Sequence, residues 1–198
     1  EELGFRIIHL GVEMQIGDGV ELRGHPTLSP EKRLLAKVNG FKNAVLVEGD
    51  AVGPTLYYGA GAGAEPTASA VIADLVDLAR DLAADQQCRV PALGFATARL
   101  RDLPVVPMEK VSTPWYLRME AEDKPGVLSA VASLFSEQGI SIEGLIQKAP
   151  EAGETRVPLI VLTNSAAQGL VDKAVQAIES LDNITGEIAR IRVEALDG

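Results

Sequence analysis

The chain has 198 residues and a formal net charge of −10, and 46% of its residues are hydrophobic. This length accommodates one ordinary domain or two small ones, each with its own core. The acidic excess argues against binding to nucleic acid or to an anionic membrane surface, because both require basic patches. A single cysteine, Cys88, excludes an intrachain disulfide, and two histidines, His9 and His25, leave little for a metal site, so none is expected.

No apolar run reaches the 18 or more residues that a membrane span requires, and no signal peptide precedes the first strand candidate. We therefore expect a cytoplasmic protein. The chain begins Glu1-Glu2-Leu3-Gly4-Phe5 and continues directly into an apolar stretch. Natural N-termini are usually mobile polar arms, so this start predicts the interior of a longer protein.

The first elements predicted along the chain form a hairpin. Residues 5–13 are rich in β-branched and aromatic types, the turn 17–19 follows, and residues 20–23 alternate apolar and polar side chains. Ser29 followed by Pro30 is typical of the N-cap and first position of a helix, so a short helix is predicted next.

Two further strand candidates, 44–48 and 55–58, lead into a glycine-rich loop and then into the clearest amphipathic helix. Thr67 or Ser69 is its candidate N-cap. Its predicted apolar face consists of Val71, Ile72, Leu75, Val76, Ala79, Leu82 and Ala83.

The stretch 88–114 contains four prolines without sustained periodicity, which predicts an extended linker. The last 84 residues follow the order β-α-β-β-α-β, which is the ferredoxin-like arrangement. The sequence therefore predicts an α+β protein in which a sheet-containing first part precedes a ferredoxin-like module.

The glycine-rich loop matches the dinucleotide fingerprint in the form Gly59-x-Gly61-x-x-Ala64, between a strand and a helix. The context that the fingerprint requires is missing, because no parallel strand ending in an acidic residue follows the helix. Two alternatives remain open from the residues alone: a glycine turn needed only for close packing, and a ligand-contacting loop of another fold.

A second candidate site is the loop Glu122–Leu128 at the start of a predicted helix. Asp123 can cap that helix, Pro125 fits its first turn, and Gly126 removes a side chain where the loop meets a neighbour. The residues alone favour a well-built helix start and a ligand loop equally. No motif for nucleophilic, metal-dependent or acid–base catalysis occurs in the sequence.

Three segments, 24–28, 43–53 and 58–71, together resemble the C-terminal part of the catalytic domain of homoserine dehydrogenase. The loop 122–128, followed by 139–143, resembles an ACT domain, the regulatory module that bacterial homoserine dehydrogenases carry after the catalytic domain. The resemblance implies part of a catalytic and dimerisation domain at 1–105, a linker at 106–113 and a ferredoxin-like ACT domain at 114–198.

The resemblance also implies site residues. The glycine loop is expected to lie against NADP or NAD through Gly63, Gly61 and Gly59, with Gly63 the first choice. The family's catalytic lysines and its homoserine-binding acidic residues lie upstream of the matching segment, so no catalytic residue is assigned in this sequence.

The ACT resemblance implies an amino-acid effector, with L-threonine the most plausible, bound near Asp123, Gly126 and Val127 and often between two ACT modules. A homo-oligomer is therefore expected.

The function predicted on this basis is that of an NAD(P)-dependent oxidoreductase that converts L-homoserine to L-aspartate 4-semialdehyde in threonine and methionine biosynthesis. The chain would be its C-terminal fragment and inactive alone. The alternative is a stand-alone amino-acid-binding ACT regulator.

Overall fold

A computed structural model describes residues 3–83, 94–148, 150 and 155–195. These residues divide into two compact units, one formed by residues 3–36 with 103–195 and the other by residues 37–83 with 94–102. Cys88 and most of the predicted turn at 150–154 lie outside the described residues. The domain boundaries expected at 105 and 114 stay a prediction.

The described elements, in chain order, are mostly strands. They are β1 (Phe5–Ile16), β2 (Gly19–Pro30), β3 (Lys42–Gly49), β4 (Gly53–Ala60), α1 (Ala64–Ala83), β5 (Ser112–Thr113), β6 (Trp115–Glu122), α2 (Val127–Glu137), β7 (Ile142–Gln147), β8 (Arg156–Thr163), β9 (Ala166–Ala167), α3 (Gln168–Glu179) and β10 (Ile184–Val193). None of the helices in the described part of the chain is long and apolar enough to cross a membrane.

The first unit contains a six-stranded sheet in the order β1-β2-β10-β6-β8-β7. Its β6-α2-β7-β8-α3-β10 portion confirms the predicted ferredoxin-like order. The two helices carry apolar residues at helical spacing, and these pack on one face of the sheet because the alternating strands present apolar side chains there. The buried core includes Leu117, Met119, Val131, Phe135, Leu159, Val171 and Ile178.

The predicted hairpin is present and longer than expected, because β1 and β2 pair over their whole lengths from Phe5↔Pro30 to Ile16↔Gly19. The helix predicted after Ser29 is wrong. Ser29 and Pro30 are the last residues of β2, Ser29 is fully buried, and only a short 3-10 turn follows at Leu35–Lys37. Pairing along β1 therefore outweighs the local capping preference of these two residues.

Strand β2 also joins the ferredoxin-like portion of the sheet. It pairs in parallel with β10 through Thr27↔Arg192 and Leu28↔Val193, and the amide of Glu194 donates to the carbonyl of Leu28 at 2.8 Å. The hairpin thus extends the ferredoxin-like sheet by two strands at its β10 edge.

The second unit contains the β3–β4 hairpin and α1. The strands pair from Lys42↔Ala60 to Gly49↔Gly53, which confirms both strand predictions. The predicted amphipathic helix is also present, with 20 residues. Its apolar face is exposed among the described residues, and the exposed fraction reaches 89% at Leu82.

His25 lies on the face of β2 that also carries Arg23 and Thr27. Its Nε2 atom is buried without a hydrogen-bond partner, and Thr27 Oγ1 lies 3.0 Å from its Nδ1. Burial lowers the pKa of His25; the carbonyl of Pro26 opposes this shift, and the positive charges of Arg192 and Arg23 reinforce it. The native state therefore favours neutral His25 more than the unfolded chain does.

We expect the free energy of unfolding to fall as the pH drops below about 6.5, because the unfolded chain then takes up the proton that native His25 resists. His25→Gln should make this slope shallower in urea titrations at a series of pH values. His9→Gln, at an exposed position on β1, controls for the substitution itself. An unchanged slope in His25→Gln would contradict the prediction.

Candidate functional site

The glycine loop connects β4 to α1 and is held by backbone hydrogen bonds. The amide of Gly61 donates to the carbonyl of Phe41 at 2.8 Å, and the amide of Thr67 donates to the carbonyl of Gly63 at 3.1 Å. Gly63 therefore occupies the N-cap position of α1, which begins at Ala64. The prediction of Thr67 or Ser69 as the N-cap is wrong, because the helix begins at least three residues earlier.

The three glycines predicted to face a cofactor differ in the structural reason that a side chain would be unfavourable at each position. At Gly61, an added Cβ would lie 1.9 Å from Asn43 Nδ2, so the carboxamide of Asn43 occupies that space. Gly63 has a φ of +129°, which side chains rarely adopt, and Pro66 Cδ would lie 3.2 Å from its added Cβ. At Gly59 nothing lies within 4 Å and φ is ordinary. The fold of this chain therefore explains Gly61 and Gly63 but not Gly59.

The charges around this loop limit what it can bind. The loop is exposed, and the first turn of α1 carries Glu65, which opposes the attraction of a helix N-terminus for anions. The nearest basic side chain on the paired strand, Lys42, has its Nζ 5.3 Å from the ring centroid of Phe41 and 5.6 Å from that of Tyr58. The loop thus suits close approach of an uncharged group to its backbone better than binding of a phosphate.

A second candidate site lies where β6 ends and α2 begins. A cavity of 290 Å³ there is lined by residues that include Asp123, Gly126 and Val127, the three predicted effector-binding residues. The structure thus brings all three to one place. This volume lies just below the range of about 300–1,000 Å³ for drug-sized ligands and suits a smaller molecule.

The loop at this cavity differs in detail from the sequence prediction. Gly126, with a φ of +94°, is the N-cap of α2, and no side chain caps the helix. Asp123 does not cap it; its Oδ1 instead accepts a hydrogen bond from Gln147 Nε2 at 2.8 Å. Pro125 precedes the N-cap and is not part of the first turn. The amides at the start of α2 therefore have no side-chain acceptor at their N-cap.

The polar groups at the cavity have opposite electrostatic preferences. The uncapped N-terminus of α2 attracts a carboxylate, whereas the carboxylate of Asp123 attracts an ammonium group. Glu122 and Lys124 neutralise each other in an ion pair of 2.8 Å, and the hydrogen bond from Lys124 lowers the pKa of Glu122. An amino-acid zwitterion carries the two charges that this arrangement complements.

Gln147 lines the cavity as well and was not identified from the sequence. It lies at the end of β7, and its proximity to Asp123 follows from the order of strands in the sheet. The sequence offered only the weak signal of a polar side chain directly after the apolar pair Leu145 and Ile146. Ser141, in the segment 139–143 that resembles an ACT domain, is exposed and does not line this cavity.

Among residues 3–83, 94–148, 150 and 155–195, no group of three or more His, Cys, Asp or Glu side chains could hold a metal ion. The described chain therefore presents two candidate sites of different kinds. One is a loop with open backbone at Gly59, and the other is a small cavity suited to a zwitterion.

The second half of the chain has the ferredoxin-like order of strands and helices and a small cavity where β6 meets α2, an arrangement consistent with a regulatory module that binds a small molecule. The comparisons agree: residues 1–76 match the family model for homoserine dehydrogenase, and residues 115–183 match that for the ACT domain. The two matches thus follow one another along the chain, first homoserine dehydrogenase and then the ACT domain.

Curated relatives point the same way. The chain is 50% identical over 197 residues to a homoserine dehydrogenase of Pseudomonas aeruginosa, covering all of this chain and 45% of that protein. It is 34% identical to a homoserine dehydrogenase of Helicobacter pylori, covering 98% of this chain and 44% of that protein. The chain thus spans about 45% of the length of these curated relatives.

A solved structure extends the similarity to three dimensions. The crystal structure of a homoserine dehydrogenase from Thiobacillus denitrificans matches 99% of this chain and 44% of that chain, with 50% identity and a TM-score of 0.90. A homoserine dehydrogenase of Staphylococcus aureus shares the fold at 22% identity, with a TM-score of 0.58 over 98% of this chain and 43% of that one.

The packing of Asn43 against Gly61 can be tested directly. Gly61→Ala should displace the carboxamide of Asn43, because the new Cβ would lie 1.9 Å from Nδ2. We expect a large shift of the Asn43 side-chain amide resonances in ¹⁵N spectra. Gly59→Ala, whose Cβ meets nothing within 4 Å although Gly59 pairs with Asn43 across the hairpin, should shift those resonances much less. Equal shifts in both variants would exclude this contact.

Proposed function

We propose that this chain works within a homoserine dehydrogenase, a cytoplasmic homo-oligomer, where residues 1–76 form part of the catalytic machinery and the ACT domain regulates it. The reaction converts L-homoserine and NAD(P)⁺ to L-aspartate 4-semialdehyde, NAD(P)H and a proton. When bound, the nicotinamide accepts the hydride from the alcohol carbon of homoserine. The match of residues 1–76 to the family model favours this function over a stand-alone ACT regulator.

The observation that carries the cofactor assignment is the open backbone at Gly59. Among the described residues nothing fills the space that a Cβ would take there, so a flat group can approach the main chain closely. Because Glu65 disfavours a phosphate at the start of α1, the loop fits an uncharged part of NADP or NAD. Gly61 and Gly63 then shape the loop, one over Asn43 and the other at the N-cap of α1.

The substitution that tests this assignment is Gly59→Ala in the complete gene product. The added methyl group has space within the chain and no backbone strain, so it should act only on a ligand at the loop. We expect the KM for the cofactor to rise about 10-fold or more, since an overpacked contact costs about 1–3 kcal/mol.

Gly11→Ala, at a strand position with equally open surroundings, is the matched control and should leave the KM unchanged. Comparison of these two variants tests the cofactor contact more directly than a substitution at Gly63 would. At Gly63 the φ of +129° would strain any side chain whether or not a cofactor binds. An unchanged KM in Gly59→Ala would remove the cofactor role of the loop.

For the ACT domain, we propose that the cavity at Asp123 binds an amino-acid effector, with L-threonine, the end product, as the first candidate. The carboxylate of Asp123 would hold the ammonium group. The amides at the start of α2, near Gly126 and Val127, would hold the carboxylate, and Gln147 would fix the orientation of Asp123. The ligand therefore spans the junction of β6 and α2.

Asp123→Asn should weaken L-threonine binding by about 10- to 100-fold, as expected for the loss of a charged hydrogen bond worth about 1.5–3 kcal/mol. Isothermal titration calorimetry on this chain measures the effect. Asp18→Asn, which removes an exposed carboxylate in the β1–β2 turn, is the control and should bind like the wild type. Equal affinity in both variants would contradict the proposed orientation of the ligand.

A further inference from the structure

A buried ion pair joins the homoserine dehydrogenase segment to the strand that closes the ACT domain. Arg23 on β2 donates from Nη2 to Glu194 Oε2 at 2.5 Å, and from Nε to Glu21 on its own strand. Arg23 and Glu21 are buried, while 24% of the Glu194 side chain is exposed. Burial opposes the charge of Arg23, but the hydrogen bonds to Glu194 and Glu21 outweigh it and raise the pKa of Arg23.

Arg192, the neighbour of this pair on β10, connects the same contact to α3 and to strands β5 and β6. Its Nη1 donates to Thr113 Oγ1 at 2.8 Å, its Nη2 donates to Gln168 Oε1 at the start of α3, and its guanidinium lies 4.3 Å from the ring centroid of Trp115. The side chain of Arg192 is itself buried. A displacement of α3 or β6 would therefore also move Arg192, which pairs with Thr27 of β2.

Strand β6 connects this contact with the effector cavity. Ala121 and Glu122 at one end of β6 line the cavity, and Trp115 at the other end pairs with Arg192. β6 lies in the interior of the sheet between β10 and β8, so it behaves as a stiff element between the two places.

The contact between β2 and β10 involves few residues, so the two strands can separate without disrupting the rest of the sheet. Its ladder consists of Thr27↔Arg192 and Leu28↔Val193, with one further backbone hydrogen bond from the amide of Glu194 to the carbonyl of Leu28, so its closure also depends on the side chains beside it. Without Glu194, the buried guanidinium of Arg23 would keep only Glu21 as a charged partner, and one of its nitrogens, Nη1, already lacks an acceptor. A buried charge that has lost a partner is stabilised by contact with water, and this would strongly favour separation of β2 from β10.

We infer that the β2–β10 contact, closed by the Arg23–Glu194 ion pair, transmits effector binding from the ACT cavity to the homoserine dehydrogenase segment. This inference rests on the proposed effector site. Effector binding orders the end of β6 and so favours the closed contact. Because coupling is reciprocal, closure of the contact also tightens effector binding. The two states are thus β2 closed on β10 and β2 released from it.

Hydrogen exchange on this chain, with and without saturating L-threonine, tests the inference. In the wild type, L-threonine should slow exchange at residues 121–128 and also at residues 19–30, the latter by about 5-fold or more, the lower end of allosteric coupling. In Glu194→Gln, the protection at 121–128 should persist and the protection at 19–30 should disappear. Glu194→Asp, which keeps the charge on a shorter side chain, should retain part of it.

Glu187→Gln is the matched control, because it also removes one carboxylate charge from β10 but lies at an exposed position outside the contacts of Arg23 and Arg192. It should transmit protection like the wild type. Circular dichroism and L-threonine calorimetry establish that each variant is folded and binds.

Three outcomes overturn the inference. The first is equal protection of residues 19–30 in Glu194→Gln and the wild type. The second is protection confined to 121–128 in the wild type, which leaves the effector site itself intact. The third is no protection by L-threonine anywhere, which removes the proposed effector and the inference with it.

Discussion

The need to keep a buried guanidinium paired shapes the first unit of this chain. Arg23 lies on the face of β2 that is turned away from solvent, and its two carboxylate partners come from opposite ends of the sequence, Glu21 beside it and Glu194 beyond β10. Ion pairs of this kind seldom add much net stability over an apolar replacement, but they strongly disfavour arrangements that separate the partners. The position of the hairpin on the ACT sheet is thus selected by charge pairing as well as by its short ladder.

Much of the fold could be predicted from local patterns. The order of strands and helices after Trp115, the β3–β4 hairpin and α1 each follow from side-chain periodicity and turn residues, which depend on neighbours in sequence. The helix start predicted at Ser29 and Pro30 is wrong because their capping preference is local, whereas their place in β2 is decided by pairing with β1. The contact of β2 with β10 had no local signal at all.

The candidate sites show the same division. Asp123 and Gly126 could be found because they flank a helix start within a few residues, and the glycine loop because its composition is unusual. Gln147 reaches Asp123 only through the order of strands in the sheet, and Asn43 reaches Gly61 only through the β3–β4 register. The reasons for the individual glycines also needed three dimensions, since sequence alone gives Gly59, Gly61 and Gly63 the same appearance.

The distance in sequence between Arg23 and Glu194, 171 residues, has a consequence for biosynthesis. Translation at about 5–20 residues per second separates the appearance of these two residues by about 10–30 s. During that time the hairpin has emerged from the ribosome, but the strand that completes its surroundings has not. The edge of β2 at Thr27 and Leu28 therefore stays without its β10 partner during that time, and its backbone groups are paired with water instead.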